Sequence, residues 1–396
     1  MEYIGRRFLL LFFISFSINI SYSQNPDSLG NTATQLLNKS GKLNIGGYAG
    51  IHFNQPLNGD LRQNGTVDVH RLVMLFGYNF DPNLSFITEI EFEHVKEVFV
   101  EQAFVNYRIK PWMNFRAGLL LIPMGIVNEF HEPTTFLGVE RPTLDKYIVP
   151  STWREIGLGL QGNIIDASLS YQFYLVNGFA SYDGQGKLKG SSGLRGGRQK
   201  GAEAIMTSPN FTGKISYYGI RGLNLGLSLY TGNSQTSLYD GMDQSNPLEV
   251  NRADSSRIQT TMLGLDVRYT YKGLKLRGQF NSARLGNTLE YNSFTSADMG
   301  SRISGYYFEA AYDLLRAVNA NSQLFPFVRY EHLNTHASTE GELQANKAYH
   351  LTTTTIGIDW VLSNGVAFKA DYQFLKNKGQ NSGTNQLNLG VGVWFR

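Results

Sequence analysis

The sequence predicts an all-β protein, a 16-stranded antiparallel transmembrane β-barrel, and three observations point there. Short segments alternate apolar and polar residues with a period of two. The connections between them are by turns short and long. The composition is rich in glycine and aromatics and poor in charge: Gly 42, Tyr 22, Phe 25, Cys 0 and 17% charged residues. A closed barrel is the sheet that crosses a bilayer without leaving a backbone edge unsatisfied.

The last segment shows the period most plainly. In 386–396, Leu387, Leu389, Val391, Val393 and Phe395 share one face, and Asn388, Gly390, Gly392, Trp394 and Arg396 share the other. Strand side chains alternate, so this is one apolar wall and one mostly polar wall.

At the N-terminus, Arg6 and Arg7 precede the apolar run Phe8 to Ile20, and Ser21-Tyr22-Ser23 offers a cut before Gln24. This is the pattern of a cleaved export signal over 1–23. The run is about 13 residues, short of the roughly 20 that a spanning helix needs. Residues 24–41 are polar and aperiodic and read as a periplasmic leader; 42–396 form the barrel domain. Strands are expected near 42–53, 67–80, 84–94, 101–109, 113–121, 156–162, 167–176 and 211–218. The second half adds 223–231, 258–271, 274–282, 302–312, 324–335, 349–362, 366–375 and 386–396.

Asp81-Pro82-Asn83, Lys110-Pro111-Trp112, Asn163 to Asp166, Gly219 to Gly222, Lys272-Gly273 and Ser363-Asn364-Gly365 are short connections. Most hold the residue types tight turns demand. Asp313 to Gln323 is a longer member of the set. Between them fall 54–66, 122–155, 177–210, 232–257, 283–301, 336–348 and 376–385, with 95–100 a short exception. Outer-membrane barrels turn tightly in the periplasm and loop outside, which places both chain ends in the periplasm.

The faces are mostly clean. Leu223, Leu225, Leu227 and Leu229 alternate with Asn224, Gly226, Ser228 and Tyr230; Phe86, Thr88, Ile90 and Phe92 alternate with Ile87, Glu89, Glu91 and Glu93. Alternation alone also fits a soluble sandwich. The export signal, the loop rhythm, the aromatics and the last strand together favour the barrel.

Residues 84–162 carry a resemblance. Glu89-Ile90-Glu91-Phe92-Glu93, Glu101-Gln102-Ala103-Phe104 and Arg116-Ala117-Gly118-Leu119-Leu120-Leu121-Ile122-Pro123-Met124-Gly125 occur in that order. Asn128-Glu129-Phe130-His131-Glu132-Pro133, Glu140-Arg141-Pro142 and Ile148-Val149-Pro150-Ser151-Thr152-Trp153-Arg154-Glu155 follow. This resembles the phosphate-selective porin O/P-like family of Gram-negative outer membranes, in its Bacteroidetes version. The resemblance implies a 16-stranded porin, a homotrimer, with its third extracellular loop folded inward as a constriction. One departure is the ending Trp394-Phe395-Arg396, which sets the aromatic that the barrel-assembly machinery reads one residue inboard.

Connection 122–155 follows the fifth strand, where such a loop sits. A connection this long is functional or disordered, and Pro123, Pro133, Pro142 and Pro150 among many apolar residues argue for packing.

The residues expected to line the path are Arg71, Glu89, Glu91, Glu93, Arg116, Lys275 and Arg277, with Arg141 and Arg154 from the constriction loop, which also carries His131 and Lys146; the three glutamates equally fit pairing with basic residues of neighbouring strands, and the two arginines equally fit tethering the loop to the wall. An anion filter needs an excess of Lys and Arg. On the expected lumen faces Arg71, Arg116, Arg268, Lys275, Arg277, Arg329 and Lys369 stand against Glu89, Glu91, Glu93, Asp266, Glu309, Glu331 and Asp371, a balance. Loop 122–155 is mildly acidic. Loop 177–210 is basic, with Lys187, Lys189, Arg195, Arg198 and Lys200 at the pore mouth, and its glycines make it read as a mobile loop.

Other chemistries lack their residues. His131-Glu132 is no zinc-protease motif, since position 135 is Thr and Pro133 breaks the required helix. Gly46-Gly47-Tyr48-Ala49-Gly50 lies inside a strand and is no nucleotide loop. A formal charge of +3 gives no case for nucleic acid. The expectation is a passive, water-filled channel for small hydrophilic solutes, with no metal, cofactor or chemical step; phosphate as a solute is what the family resemblance implies, and the charges do not demand it. Its partners are outer-membrane lipid and lipopolysaccharide. The alternative is a structural or binding barrel with a plugged pore.

Overall fold

The first and last strands of the chain pair, and that pairing closes the sheet. Gly47 lies opposite Phe395 and Leu57 opposite Asn385. The structure, a computed structural model, describes residues 31–37, 39, 41–57, 59, 61–318, 320–380 and 383–395. The expected signal segment 1–23 lies outside the described residues.

In chain order the strands are β1 (Leu43–Leu57), β2 (Thr66–Asn79), β3 (Leu84–Glu93), β4 (Glu97–Lys110), β5 (Met113–Leu121) and β6 (Arg154–Ile164). Next come β7 (Leu169–Val176), β8 (Ala180–Tyr182), β9 (Asn210–Tyr217), β10 (Leu223–Asn233), β11 (Gln235–Thr236) and β12 (Gln259–Tyr271). The chain closes with β13 (Leu274–Gly286), β14 (Arg302–Tyr312), β15 (Gln323–Ser338), β16 (His350–Ser363), β17 (Val366–Asn377) and β18 (Thr384–Phe395). Sixteen of them form one closed antiparallel barrel, each predicted strand present, while β8 and β11 make a small parallel pair.

Among the described residues four short α-helices accompany the strands: α1 (Thr32–Leu37), α2 (Leu144–Tyr147), α3 (Pro247–Ser255) and α4 (Thr288–Thr295). Helices α3 and α4 lie in connections that read as irregular from sequence. The start of α3 was nevertheless written there: Asn246 accepts from the Leu248 N–H at 3.1 Å, and Pro247 fills the first helical position.

The outer wall is apolar. Along β12, Thr260, Met262 and Asp266 are buried, while Leu263 and Leu265 are each 53% exposed; Leu227 and Phe308 continue the belt on other strands. Each such side chain left in water forgoes about 1.5–3 kcal/mol, so a belt of them calls for lipid. Phe80, Tyr107, Trp112, Tyr217, Tyr271 and Tyr312 are exposed beside the tight turns, at the end where β1 begins and β18 finishes. That is an aromatic girdle. The turns there are built locally: Asp81 Oδ1 accepts from the backbone of Asn83 and Leu84 at 2.7 and 2.9 Å.

Among the sheet's register shifts, two bulges in β2 and β4 bring residues inward beside the first strands. Gly50 lies opposite Arg71 but Ile51 opposite Val69, so His70 is an extra residue in β2. Glu89 lies opposite Gln102 but Ile90 opposite Val100, so Glu101 is an extra residue in β4. A bulge turns two consecutive side chains to one side. Both Glu101 and Gln102 are buried as a result.

Candidate pore and its lining

The segment between β5 and β6 is fastened to side chains on the inner face of the strands. Gly125, at φ +70°, brings the chain so close to the wall that a Cβ would meet Gln279 Nε2 at 2.4 Å. Gln279 Oε1 accepts from Ile126 N at 2.8 Å, and Lys214 Nζ donates to Gly125 O at 2.7 Å. Lys214 also pairs with Glu129 at 2.8 Å and Asp266 at 3.0 Å.

The far wall grips the rest of the segment. Lys369 Nζ donates to Gly138 O at 3.0 Å and to the carbonyls of Pro133 and Phe136. Asp371 accepts from Val139 N at 2.6 Å, and Arg329 donates to Glu140 O at 3.1 Å. Glu331 receives the Thr143 N–H and Arg329 Nε. Charges that alternation assigns to an open lumen therefore fasten the segment instead.

A buried clasp completes the attachment. His131 Nε2 lies 3.1 Å from Glu89 Oε1 and 3.3 Å from Glu101 Oε2, while its Nδ1 faces Asn128 O at 3.2 Å. Tyr48 Oη donates to Glu89 at 2.7 Å. Burial works against an imidazolium, but the Glu89 charge and the two carboxylate hydrogen bonds outweigh it and push His131 up to about 10.

Above this floor lies a cavity of about 490 Å³. Its charged lining is uneven: Arg71, Arg141, Lys146, Arg154, Arg195, Arg198, Lys200 and Lys376 face Glu91, Glu93, Glu140 and Asp145. Arg71 pairs with Glu91 at 3.3 Å. Burial pushes the Asp145 carboxyl up to about 8, which leaves it largely neutral at pH 7. Glu140 stays ionised: burial would raise it, yet His52 at 3.4 Å and the Asn54 hydrogen bond at 2.9 Å hold it down at about 2.

Loop 177–210 supplies the excess. It is packed, not the mobile loop its glycines suggest. Leu188 and Leu194 are fully buried, and Leu194 N donates to Tyr147 O at 2.9 Å. At Gly193 (φ +56°) a Cβ would meet that same Tyr147 O at 2.3 Å, so glycine here serves close packing. Arg198 Nη1 donates to Pro150 O and Ser151 O at 3.1 Å each, and Arg195 to Ser151 O at 3.2 Å. Burial, with Arg195 and Arg154 alongside, lowers Arg198 to about 9. Lys200 sits 4.3 Å over the Phe99 ring.

The other expected residues scatter. Glu89 and His131 are closed inside the clasp, and Glu93 lines the cavity. Arg116 bonds Asn106 at 3.0 Å in a small pocket beside Asn31 and Thr34. Lys275 stands 3.6 Å over Phe325 in a separate pocket of about 420 Å³ beside the tight turns, and Arg277 reaches Glu309 at 3.9 Å. Lys187 pairs with Asp183 at 3.4 Å, and Lys189 is exposed away from the cavity. Sequence reasoning passed over Tyr48, His52, His70, Glu101 and Lys214. The bulges hid His70 and Glu101; Lys214 was legible as a lone cation on an otherwise uncharged strand.

The described part of the expected leader also enters the barrel. Ala33 and Leu36 of α1 are buried, and the N–H and hydroxyl of Thr32 donate to Glu132.

No family model matches the chain. A protein of Aquifex aeolicus (strain VF5), described as uncharacterized, is 34% identical over 360 residues, 87% of this chain and 78% of the relative. Among solved structures, OmpF of Salmonella typhi in complex with daunomycin matches at 12% identity, over 89% of this chain and 97% of that one, with a TM-score of 0.59. An anion-selective porin from Comamonas acidovorans matches at 12% identity, over 89% and 99%, with a TM-score of 0.54. A loop-deletion form of OmpT, an outer membrane protein of Vibrio cholerae, matches at 9% identity, over 90% and 100%, with a TM-score of 0.53. At these identities the likeness is one of fold.

Proposed function

The chain belongs to one family with the Aquifex aeolicus protein, and on that premise we propose an outer-membrane porin: a passive, water-filled channel that favours small anions. One observation carries the reading. The cavity above the inward segment is lined by eight basic and four acidic side chains, and Asp145 is largely neutral. Low-dielectric walls around an excess of one sign concentrate the opposite ion.

In this reading the apolar belt meets outer-membrane lipid and the loops face outside, near lipopolysaccharide. Residues 1–23 are removed on export, 24–41 remain as a leader, and 42–396 are inserted by the barrel-assembly machinery. Segment 122–153 is the constriction, with Arg141, Lys146 and Arg154 on the solute path beside Arg71, Glu91 and Glu93. The protein works as a homotrimer. Phosphate is the anion to try first, on the resemblance over residues 84–162 and on its fit to several convergent guanidinium groups. The anion-selective Comamonas porin shares the fold.

The test is single-channel recording in a planar bilayer under a KCl gradient, with phosphate titrated against the chloride current. An anion-signed reversal potential supports the reading, and block by low phosphate adds the solute. A cation-signed potential sinks it. A second reading, a plugged barrel, draws on α1 seated in the lumen against Glu132; absence of any conductance would favour it.

A further inference from the structure

Three of the seven histidines converge on the barrel rim at the loop-bearing end. β2 carries Asp68 and His70, the second turned inward by the bulge, and His94 occupies the tight turn between β3 and β4. Asp68 Oδ2 contacts His94 Nδ1 and lies 3.6 Å from His70 Nδ1. One donor atom from each of the three residues lies within 4.8 Å of the others.

The backbone is bent to deliver His94. His94 and Val95 both have positive φ, 52° and 63°. A turn of this hand ordinarily takes Asn-Gly, and a β-branched residue there is strained. His94 N in turn donates to His70 O at 3.4 Å, tying the turn to the bulge. From the other side the His52 ring stacks on His70, with centroids 4.5 Å apart and planes 13° from parallel. Asp68 and His70 are half-buried and His94 is exposed, so the group is held yet reachable from water.

We propose that Asp68, His70 and His94 bind one late first-row divalent cation, Zn²⁺, Ni²⁺ or Cu²⁺. Two imidazoles and a carboxylate are the donor set those ions prefer, whereas Ca²⁺ and Mg²⁺ require oxygen donors throughout. Three protein donors leave a coordination position for water. Bonds of about 2.0–2.1 Å bring tetrahedral donors to roughly 3.3 Å from one another, and rotation of the exposed His94 side chain supplies the closure.

Among the described residues, neither other cluster competes well. Glu89, Glu101 and His131 are fully buried and already satisfy one another. His332 and His350, with Nε2 atoms 2.6 Å apart, offer two donors on the outer wall.

Isothermal titration of the tag-free, detergent-folded full chain with ZnCl₂ tests the proposal and needs no open pore. One ion per chain at micromolar affinity is expected. His94→Ala and Asp68→Asn should each weaken it at least about tenfold, His94→Cys should restore it, and His332→Ala should leave it unchanged. No saturable binding below millimolar zinc overturns the site. So does His94→Ala binding like the wild type, or a loss that appears in His332→Ala instead.

Discussion

His131 Nε2 sits 3.1 Å from Glu89 Oε1 and 3.3 Å from Glu101 Oε2, one imidazole on the inward segment answering two carboxylates on the wall. Its raised value, about 10 against about 6.5 unfolded, sets the sign of the linkage. The contribution is complete below pH 6.5 and is lost as pH rises through about 10. His131→Gln leaves the buried Glu89 without its cation and Glu101 with Arg154 alone, at 3.7 Å, and should cost about 3–5 kcal/mol. The variant should show noisy currents and an early thermal transition at neutral pH. The wild type should show the same behaviour only near its upper value. Steady currents from the variant would mean that the other anchors suffice.

A second titration acts on selectivity. Burial pushes Asp145 up to about 8, and it faces the cavity. An acid raised in the folded state favours its protonated form, so its contribution to stability falls as pH rises from about 3.8 to about 8, and its ionisation around the upper value adds a negative charge to the lining. Anion preference should therefore decline as pH rises from about 7 to 9, and Asp145→Asn should remove the first part of the decline. Arg198, lowered to about 9, continues it in both proteins. An identical pH profile in Asp145→Asn assigns the whole change to the arginines.

Inverting Arg195 and Arg198 should reverse selectivity. A unit charge about 8 Å from a passing ion, at an effective dielectric of about 20, is worth about 2 kcal/mol. Even after screening, Arg195→Glu with Arg198→Glu should lower the chloride-to-potassium permeability ratio roughly tenfold or more. Lys275→Glu with Arg277→Glu should do less, since Lys275 lies over Phe325 beside the tight turns, apart from the main cavity. Reversal potentials in a salt gradient rank the two pairs. A larger shift from the second pair would move the filter to the other end of the barrel.

The barrel was legible because alternation, turn chemistry and loop rhythm are local. Each strand carries its own two-residue period, and every predicted strand appears in the closed sheet. The lining was not legible in the same way. Alternation tells which side of the wall Lys369 or Asp371 occupies, but not that each spends its charge on backbone groups of 133–139. Loop 177–210 misled for a related reason. Glycine marks mobility where nothing approaches, and close packing where Tyr147 O stands in the place of a Cβ. Glu101 was passed over because a bulge turns it inward, which the pattern of a single strand does not record.

Helix α1 makes the last testable case, because it sits in the lumen on few contacts. Thr32 reaches Glu132, and Leu36 packs so near Gly77 that a Cβ there would meet its Cδ2 at 3.2 Å. A helix of six residues does not persist alone in water, so its place depends on those contacts. Leu36→Asp puts a charge in the buried position and should free the helix while the barrel stays closed. If the helix narrows the path, single-channel conductance rises and substates disappear. Unchanged conductance would seat it beside the path, and a fall would make it a brace that keeps segment 122–153 in position through Glu132.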